Sequence, residues 1–265
     1  MSKFTDQQYL KTDQYKDSSN LDARVEIHRR FSTNPYGWFT WMFDALVKLP
    51  ADAKILELGC GPAHLWRDCS DRIPAGWDIT LSDLSPGMLD SAWRNLVVTG
   101  RAFRFQEIDA QDIPFADEIF DAVIANFMLY HVPDRQKALN ETRRVLKPGG
   151  RLFAATVGDS HMREALRWTR QVGNETMASV PVPFTLENGL DQLASVFSKV
   201  ELARYPDGLQ VTEVKPLIAY ILSNVPAGDR IESALADVEQ ELEEELKGKG
   251  RIVITKDSGL FEAIK

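Results

Sequence analysis

A chain of 265 residues, 44% hydrophobic and 26% charged, buries a core of its own and needs neither disulfides nor a structural metal to fold. Its formal net charge of −8 argues against broad nucleic-acid binding, which requires a cationic stripe to displace counterions. No apolar run approaches the roughly 18 residues of a membrane span.

Residues 1–20 are polar and are expected to be loosely held until something covers them. They show neither an apolar signal core nor an Arg-rich transit pattern, so a cytoplasmic location is expected. From Leu21 onward apolar residues recur at helical spacing through Val25 and His28, then through Phe39, Met42, Phe43 and Leu46. Asn34-Pro35 and Gly37 interrupt the pattern, which predicts two helices joined by a turn, closed by Pro50.

The middle of the chain alternates. Strands are predicted at 54–58, 78–82, 103–108, 120–126 and 150–156. Helices are predicted at 64–73, 86–98, 135–146 and 160–176, with a short one near 115–118. Ser85 before Pro86 is a helix start, and Pro148-Gly149-Gly150 is a stop. The last third reads as helix 186–197, strand 199–205, a turn at Pro206-Asp207-Gly208, helices 215–224 and 230–247, and strand pieces at 251–255 and 260–264. The expected fold is α/β: a doubly wound, seven-stranded sheet, mostly parallel, with an antiparallel C-terminal strand. Residues 1–49 form a helical lid on a domain spanning 50–265. Insertions near 158–185 and 212–250 cover the carboxyl edge of the sheet, where ligands bind in such folds.

The stretch ILELGCGPAH, from Ile55 to His64, is strand, tight turn, helix. Glycines there let backbone approach a ligand, and the helix start aims free N–H groups at it. A dinucleotide turn carries a third glycine, and here His64 stands in its place. Glu57, at the strand exit, would repel a pyrophosphate but suits a cationic group. Asp83, about 20 residues past the turn, is placed to grip ribose hydroxyls. The combination favours a nucleoside with an amino-acid tail over NAD.

LELGCGPA, LSDLSPGML, EIDAQDIPF, FDAVIANFMLYHV and RRVLKPGGRL, in that order, resemble the successive motifs of class I S-adenosylmethionine-dependent methyltransferases, over residues 50–157. Within that superfamily the chain is most similar to small-molecule enzymes of the quinone-biosynthesis type. The resemblance implies a Rossmann-like fold and S-adenosyl-L-methionine as cofactor. It implies that Gly59 and Gly61 line the methionine portion, with Glu57 behind them. It implies that Asp83 takes the ribose hydroxyls, that Leu84 packs on adenine, and that Asp109 and Ala110 bond its edge. Asn126 offers its carbonyl to the cofactor ammonium. Cys60, Met88, Gln111 and Phe127 complete the lining, and Tyr15 closes over it. Ala63 departs mildly from a frequent glycine.

His131 and Tyr130 follow the fourth strand and are the candidate catalytic residues, where an imidazole could take a proton. Either residue could equally only pack or cap. Methyl transfer from a sulfonium needs positioning and exclusion of water more than a strong base, since positioning can contribute roughly 7–11 kcal/mol. Arg163, Arg167 and Arg170 share a helix face that is either solvated or a cationic wall. His28 with Arg29 either touches ligand from the lid or is ordinary helix. The acidic stretch 239–245 is expected to face solvent.

Aromatics in the covering segments (Tyr9, Tyr15, Phe31, Tyr36, Trp38, Phe39, Trp41, Trp168, Phe184) suit an apolar or ring-bearing acceptor, although most could be core. The two cysteines, Cys60 and Cys69, have no metal-ligand spacing, so no metal is expected and a reducing compartment fits. The expected partner is a small molecule, with neither nucleic acid nor membrane. An NAD-dependent reductase, a catalytically silent cofactor-binding protein, and a nucleic-acid or protein methyltransferase are the alternatives. The Asn126-Phe127-Met128-Leu129 run lacks the Pro-Pro-Tyr common in enzymes that methylate nucleobase or amide nitrogen.

Overall fold

The computed structural model describes residues 5–173 and 181–265. Among the described residues nine strands alternate with helices, and the sheet forms where the apolar runs predict it. Strands β1 (Lys54–Leu58), β2 (Asp78–Asp83), β3 (Arg104–Glu107), β4 (Phe120–Asn126) and β5 (Leu146–Val157) run parallel. Strand β9 (Ser258–Ile264) is antiparallel to both β5 and β6 (Lys199–Tyr205). The seven-stranded order is β3-β2-β1-β4-β5-β9-β6. The strand pieces at 251–255 and 260–264 therefore do not pair with each other. Strand β8 (Ile252–Thr255) pairs with β7 (Gly208–Val211) in a separate ribbon.

Helices cover the sheet on both faces. Helix α1 (Gln7–Tyr9) runs into a π-helical turn, Leu10–Gln14. Next come α2 (Ser19–Phe31), α3 (Trp38–Leu46), α4 (His64–Asp68) and α5 (Pro86–Leu96). The series continues with α6 (Arg135–Val145), α7 (Arg163–Val172), α8 (Gly189–Ala194), α9 (Val214–Ser223) and α10 (Glu232–Lys249). Ser85 caps α5 by accepting from Met88 N–H, with Pro86 at the first helical position.

Three apolar clusters result. On one face α3 buries Met42, Phe43 and Leu46 against Ile55 and Trp66. On the other, Leu139 and Val145 of α6 pack on Val123 and Leu152. The third joins α2, α7, α9, α10 and the β7–β8 ribbon through Ile27, Trp168, Ile221, Leu242 and Ile254. The segment 1–49 is thus divided: α3 belongs to the sheet layer and α2 to this helical cap.

Several expectations change. The short helix near 115–118 is absent, because Arg144 donates to the Ile113 and Phe115 carbonyls and to Asp117. Those bonds satisfy the carbonyls outside a helix, and Glu118 turns left-handed at φ 59°. The helix expected at 64–73 breaks at Cys69, with a 3-10 turn at Ser70–Arg72. The end of the helix expected at 160–176 lies outside the described residues beyond position 173.

The N-terminal segment is not loose over its described part, since Leu10 and Gln14 are buried. Glu241 of the acidic helix does not simply face solvent. It accepts from Trp168 Nε1 at 3.1 Å and pairs with Arg167. Among the described residues no helix is long and apolar enough to cross a membrane, and no group of three His, Cys, Asp or Glu side chains could hold a metal. Both cysteines are buried and free.

Candidate functional site

The carboxyl ends of β1 to β5 open into a single cavity of about 660 Å³. The glycine turn forms its floor. Gly59 (φ 64°) and Gly61 (φ 53°) are left-handed, and a Cβ on Gly59 would lie 2.8 Å from Met128 Cβ. Ala63 is also left-handed, at φ 60°, so its departure from glycine costs roughly 1–2 kcal/mol. Two further strained residues, Phe127 (φ 56°) and Met162 (φ 55°), line the same cavity.

At the end of β2, Asp83 Oδ2 accepts from Gly61 N–H at 2.9 Å and Oδ1 accepts from Ser85 N–H at 2.9 Å. Burial pushes its pKa up to about 6, against the pull of those donors. The Leu84 N–H also bears on it, and a carboxylate's roughly four lone-pair sites still leave room for a ligand donor. Asp109 accepts from Gln7 Nε2 at 2.9 Å and from Gln111 N–H at 2.9 Å. Burial opposes its ionisation, but these donors and Lys137 outweigh it and hold its pKa below the usual carboxylate range.

Glu57 is 2% exposed and accepts from Trp66 Nε1. Burial pushes its pKa up to about 8, opposed by the Trp66 bond and reinforced by the Asp83 charge. A carboxyl raised in this way adds stability below its ordinary pKa of 4.5 and loses that stability as pH climbs toward 8. Glu57→Gln is therefore expected to gain on the native protein as pH rises from 5 to 8, by up to about 4 kcal/mol at the upper end. Denaturant titrations across that range check this, and parallel stability curves for the two proteins would refute it.

Glu57, Gly59, Cys60, Gly61, Asp83, Leu84, Met88, Asp109, Ala110, Asn126, Phe127, Tyr130, His131 and Tyr15 all line the cavity. Gln111 does not. Its amide holds Asp109 from behind, at 3.0 Å. Asn126 Oδ1 is buried without a hydrogen-bond partner, an acceptor whose desolvation costs about 1–3 kcal/mol until a donor arrives.

Tyr15 O–H contacts His131 Nε2 at 2.9 Å, while Arg24 donates to the same hydroxyl at 3.2 Å. Which of the two donates across this contact is set by the His131 tautomer. Burial, then the Tyr15 neighbour, raises the Tyr130 pKa far above its ordinary value, so that phenol stays protonated at neutral pH.

Sequence reasoning missed most of the opposite end of the cavity. His161, Tyr220 and Lys256 line it together with His28, whereas Arg29 pairs with Glu26 outside it. No motif marks these residues, because they come from separate segments. Arg170 lines the cavity, while Arg163 and Arg167 pair with Glu164 and Glu241. Of the aromatics singled out, only Tyr15, Trp38 and Phe39 line it.

Residues 56–154 match the sequence model of a family described as a methyltransferase domain. Over those residues the chain is similar to a methyltransferase domain. A demethylmenaquinone methyltransferase of Thermus thermophilus is 42% identical to it over 108 residues, covering 41% of this chain and 48% of that protein. The chain thus spans about half the length of this relative.

Among solved structures, the [4+2]-cyclase SpnF is similar with a TM-score of 0.62 at 17% identity, covering 98% of this chain and 96% of that one. A phosphoethanolamine N-methyltransferase 2 of Haemonchus contortus, in complex with S-adenosylhomocysteine, has a TM-score of 0.61 at 19% identity. That match covers 100% of this chain and 61% of the Haemonchus protein. These likenesses are likenesses of fold.

S-adenosyl-L-methionine is the cofactor of such methyltransferase domains. The glycine-floored end of the cavity fits it. The acceptors Glu57, Asp83, Asp109 and Asn126 converge there on a space closed to side chains at Gly59, with an unfilled acceptor at Asn126.

Proposed function

We propose that the chain transfers a methyl group from S-adenosyl-L-methionine to a small-molecule acceptor with an apolar or ring-bearing body. The observation that carries this reading is the buried, unpartnered Asn126 acceptor beside Glu57 and Asp83 on the glycine turn. Such a set suits hydroxyl and ammonium donors and would repel a pyrophosphate.

When bound, the cofactor supplies an activated methyl group on a sulfonium. The chain binds and orients. Asp83 is assigned to the ribose hydroxyls, Asp109 and Ala110 to the adenine edge, Leu84 and Met88 to its face, and Asn126 to the ammonium. Glu57 stands behind the turn, and its ionised form is favoured by a cationic ligand. Tyr15 closes the space from the N-terminal side, held by His131 Nε2 and Arg24.

The cover comprises α1, α2 and the segments carrying α7 and α9. Gln7 on Asp109, Lys11 on Glu107 at 2.5 Å and Ser85 Oγ on the Tyr15 carbonyl at 2.7 Å fasten the N-terminal part. These fastenings exclude water from the space between, which strengthens every charge interaction there.

Thermal melting with S-adenosylhomocysteine against NADH tests the cofactor assignment. At a hundredfold excess over its dissociation constant the true ligand adds about 2.7 kcal/mol, a shift of roughly 5–10 °C. Transfer of isotope-labelled methyl to hydroxylated and amino-bearing rings tests the reaction. A shift with NADH alone would overturn the reading.

A further inference from the structure

The end of the cavity remote from Asp83 is walled by His28 of α2, His161 before α7, Tyr220 of α9 and Lys256 before β9. The His28 ring makes no hydrogen bond to any described residue, and its Nδ1 is buried without a partner. The His161 ring centre lies 6.0 Å from it and the Tyr220 ring centre 6.3 Å. His161 Nδ1 accepts from Asp257 N–H at 3.1 Å, so a neutral His161 carries its proton on Nε2. Burial first, then the Lys256 charge, pulls His28 well below its ordinary pKa and His161 down to about 4. Both rings are neutral at neutral pH.

The local charges exclude the obvious ions. Lys256 pairs with Asp207, whose side chain is fully buried and also takes the Ser32 hydroxyl and the Thr33 N–H. That cation is balanced, so no net positive charge waits for a carboxylate or phosphate. Asp257 is bound to Arg204 and Ser160, and Asp159 and Arg170 are exposed. A protonated amine would meet Lys256 with no buried free acid to hold it. What remains is the unfilled His28 acceptor, with the His161 N–H and the buried, unpartnered Trp38 indole N–H lining the same cavity, beside the apolar side chains of Phe127, Met162 and Leu166.

We propose that this end of the cavity is a hydroxyl-recognition subsite, where the methyl acceptor presents an O–H group that donates to His28 and accepts from His161 Nε2–H. The inference rests on the methyl-transfer reading and deepens it, since it names the group by which the acceptor is read. An ether at the same place cannot donate and leaves His28 unfilled, so the subsite prefers the free hydroxyl to its methylated form.

Binding of 2-naphthol and of its methyl ether to the full chain, with and without S-adenosylhomocysteine, tests this by ligand fluorescence. Naphthol is expected to bind roughly tenfold or more tightly than the ether. His28→Phe is expected to erase that preference, leaving the ether and S-adenosylhomocysteine affinities unchanged. His161→Phe carries the same expectation and serves should the first variant fail to fold. A wild-type chain that binds S-adenosylhomocysteine yet holds naphthol and ether equally, or neither, overturns the subsite alone. So do folded variants that keep the preference. A wild-type chain that fails to bind S-adenosylhomocysteine overturns the underlying reading instead.

Discussion

Asp83→Ala is expected to weaken S-adenosylhomocysteine binding by a hundredfold or more while leaving the ligand-free melting temperature within a few degrees of the native value. The carboxylate would make two charge-assisted bonds to ribose hydroxyls, and each such bond contributes about 1.5–3 kcal/mol. Their joint loss corresponds to roughly 10²–10⁴ in affinity.

Stability moves little because two effects oppose each other. The Gly61 and Ser85 N–H groups lose their acceptor, which destabilises. A half-buried acid also disappears, whose pKa of about 6 shows that burial already disfavours its charge at neutral pH. Calorimetric titration beside a thermal scan separates binding from folding. Native-like affinity in the alanine variant would remove Asp83 from the site, and with it the nucleoside grip.

Gly87→Ala is expected to unseat the N-terminal segment without touching the cavity. Gly87 lies in the first turn of α5 and does not line the site. A Cβ there would fall 1.9 Å from the Lys16 carbonyl oxygen and 2.9 Å from its carbon, both backbone atoms. Neither can yield without moving the chain that carries Tyr15. The helix itself gains, since alanine exceeds glycine in helix propensity by about 1 kcal/mol.

The body should therefore melt as before or slightly higher. Cleavage by trypsin at Lys11 and Lys16 should quicken about tenfold or more, and S-adenosylhomocysteine should dissociate faster by a similar factor. Unchanged cleavage and unchanged dissociation would show that the segment is not fastened over the ligand. Because Gly87 contacts no ligand group in this scheme, the variant distinguishes closure from direct contact.

The parts legible in the sequence share one property: each is encoded within a few consecutive residues. The runs that became β1, β4 and β6 are apolar or alternating segments bounded by turn residues, and they form strands with the bounds their patterns imply. The glycine turn, the acid ending β2 and the Ser85-Pro86 helix start are likewise local chemistry. The missed parts are pairings. Residues 209–211, after the predicted turn at Pro206-Asp207-Gly208, carry no predicted element, and with Gly208 they form a strand because β8 supplies a partner from beyond α10. The helix expected at 115–118 is lost to a guanidinium from α6. The N-terminal segment is polar enough to read as loose, yet the acceptors it docks on, Asp109 and Glu107, lie on the far side of the glycine turn.

Local sequence by itself determined the alternating sheet, its motifs and the glycine-floored end of the cavity, because hydrophobic period, turn residues and helix caps act over one or two turns of chain. Tertiary structure alone decided that β9 slips between β5 and β6, that α2 leaves α3 to join the cap, and that His28, His161, Tyr220 and Lys256 face one space. Those outcomes depend on burying apolar faces contributed by distant segments. A side chain's partner across such an interface leaves no spacing in the sequence from which to read it.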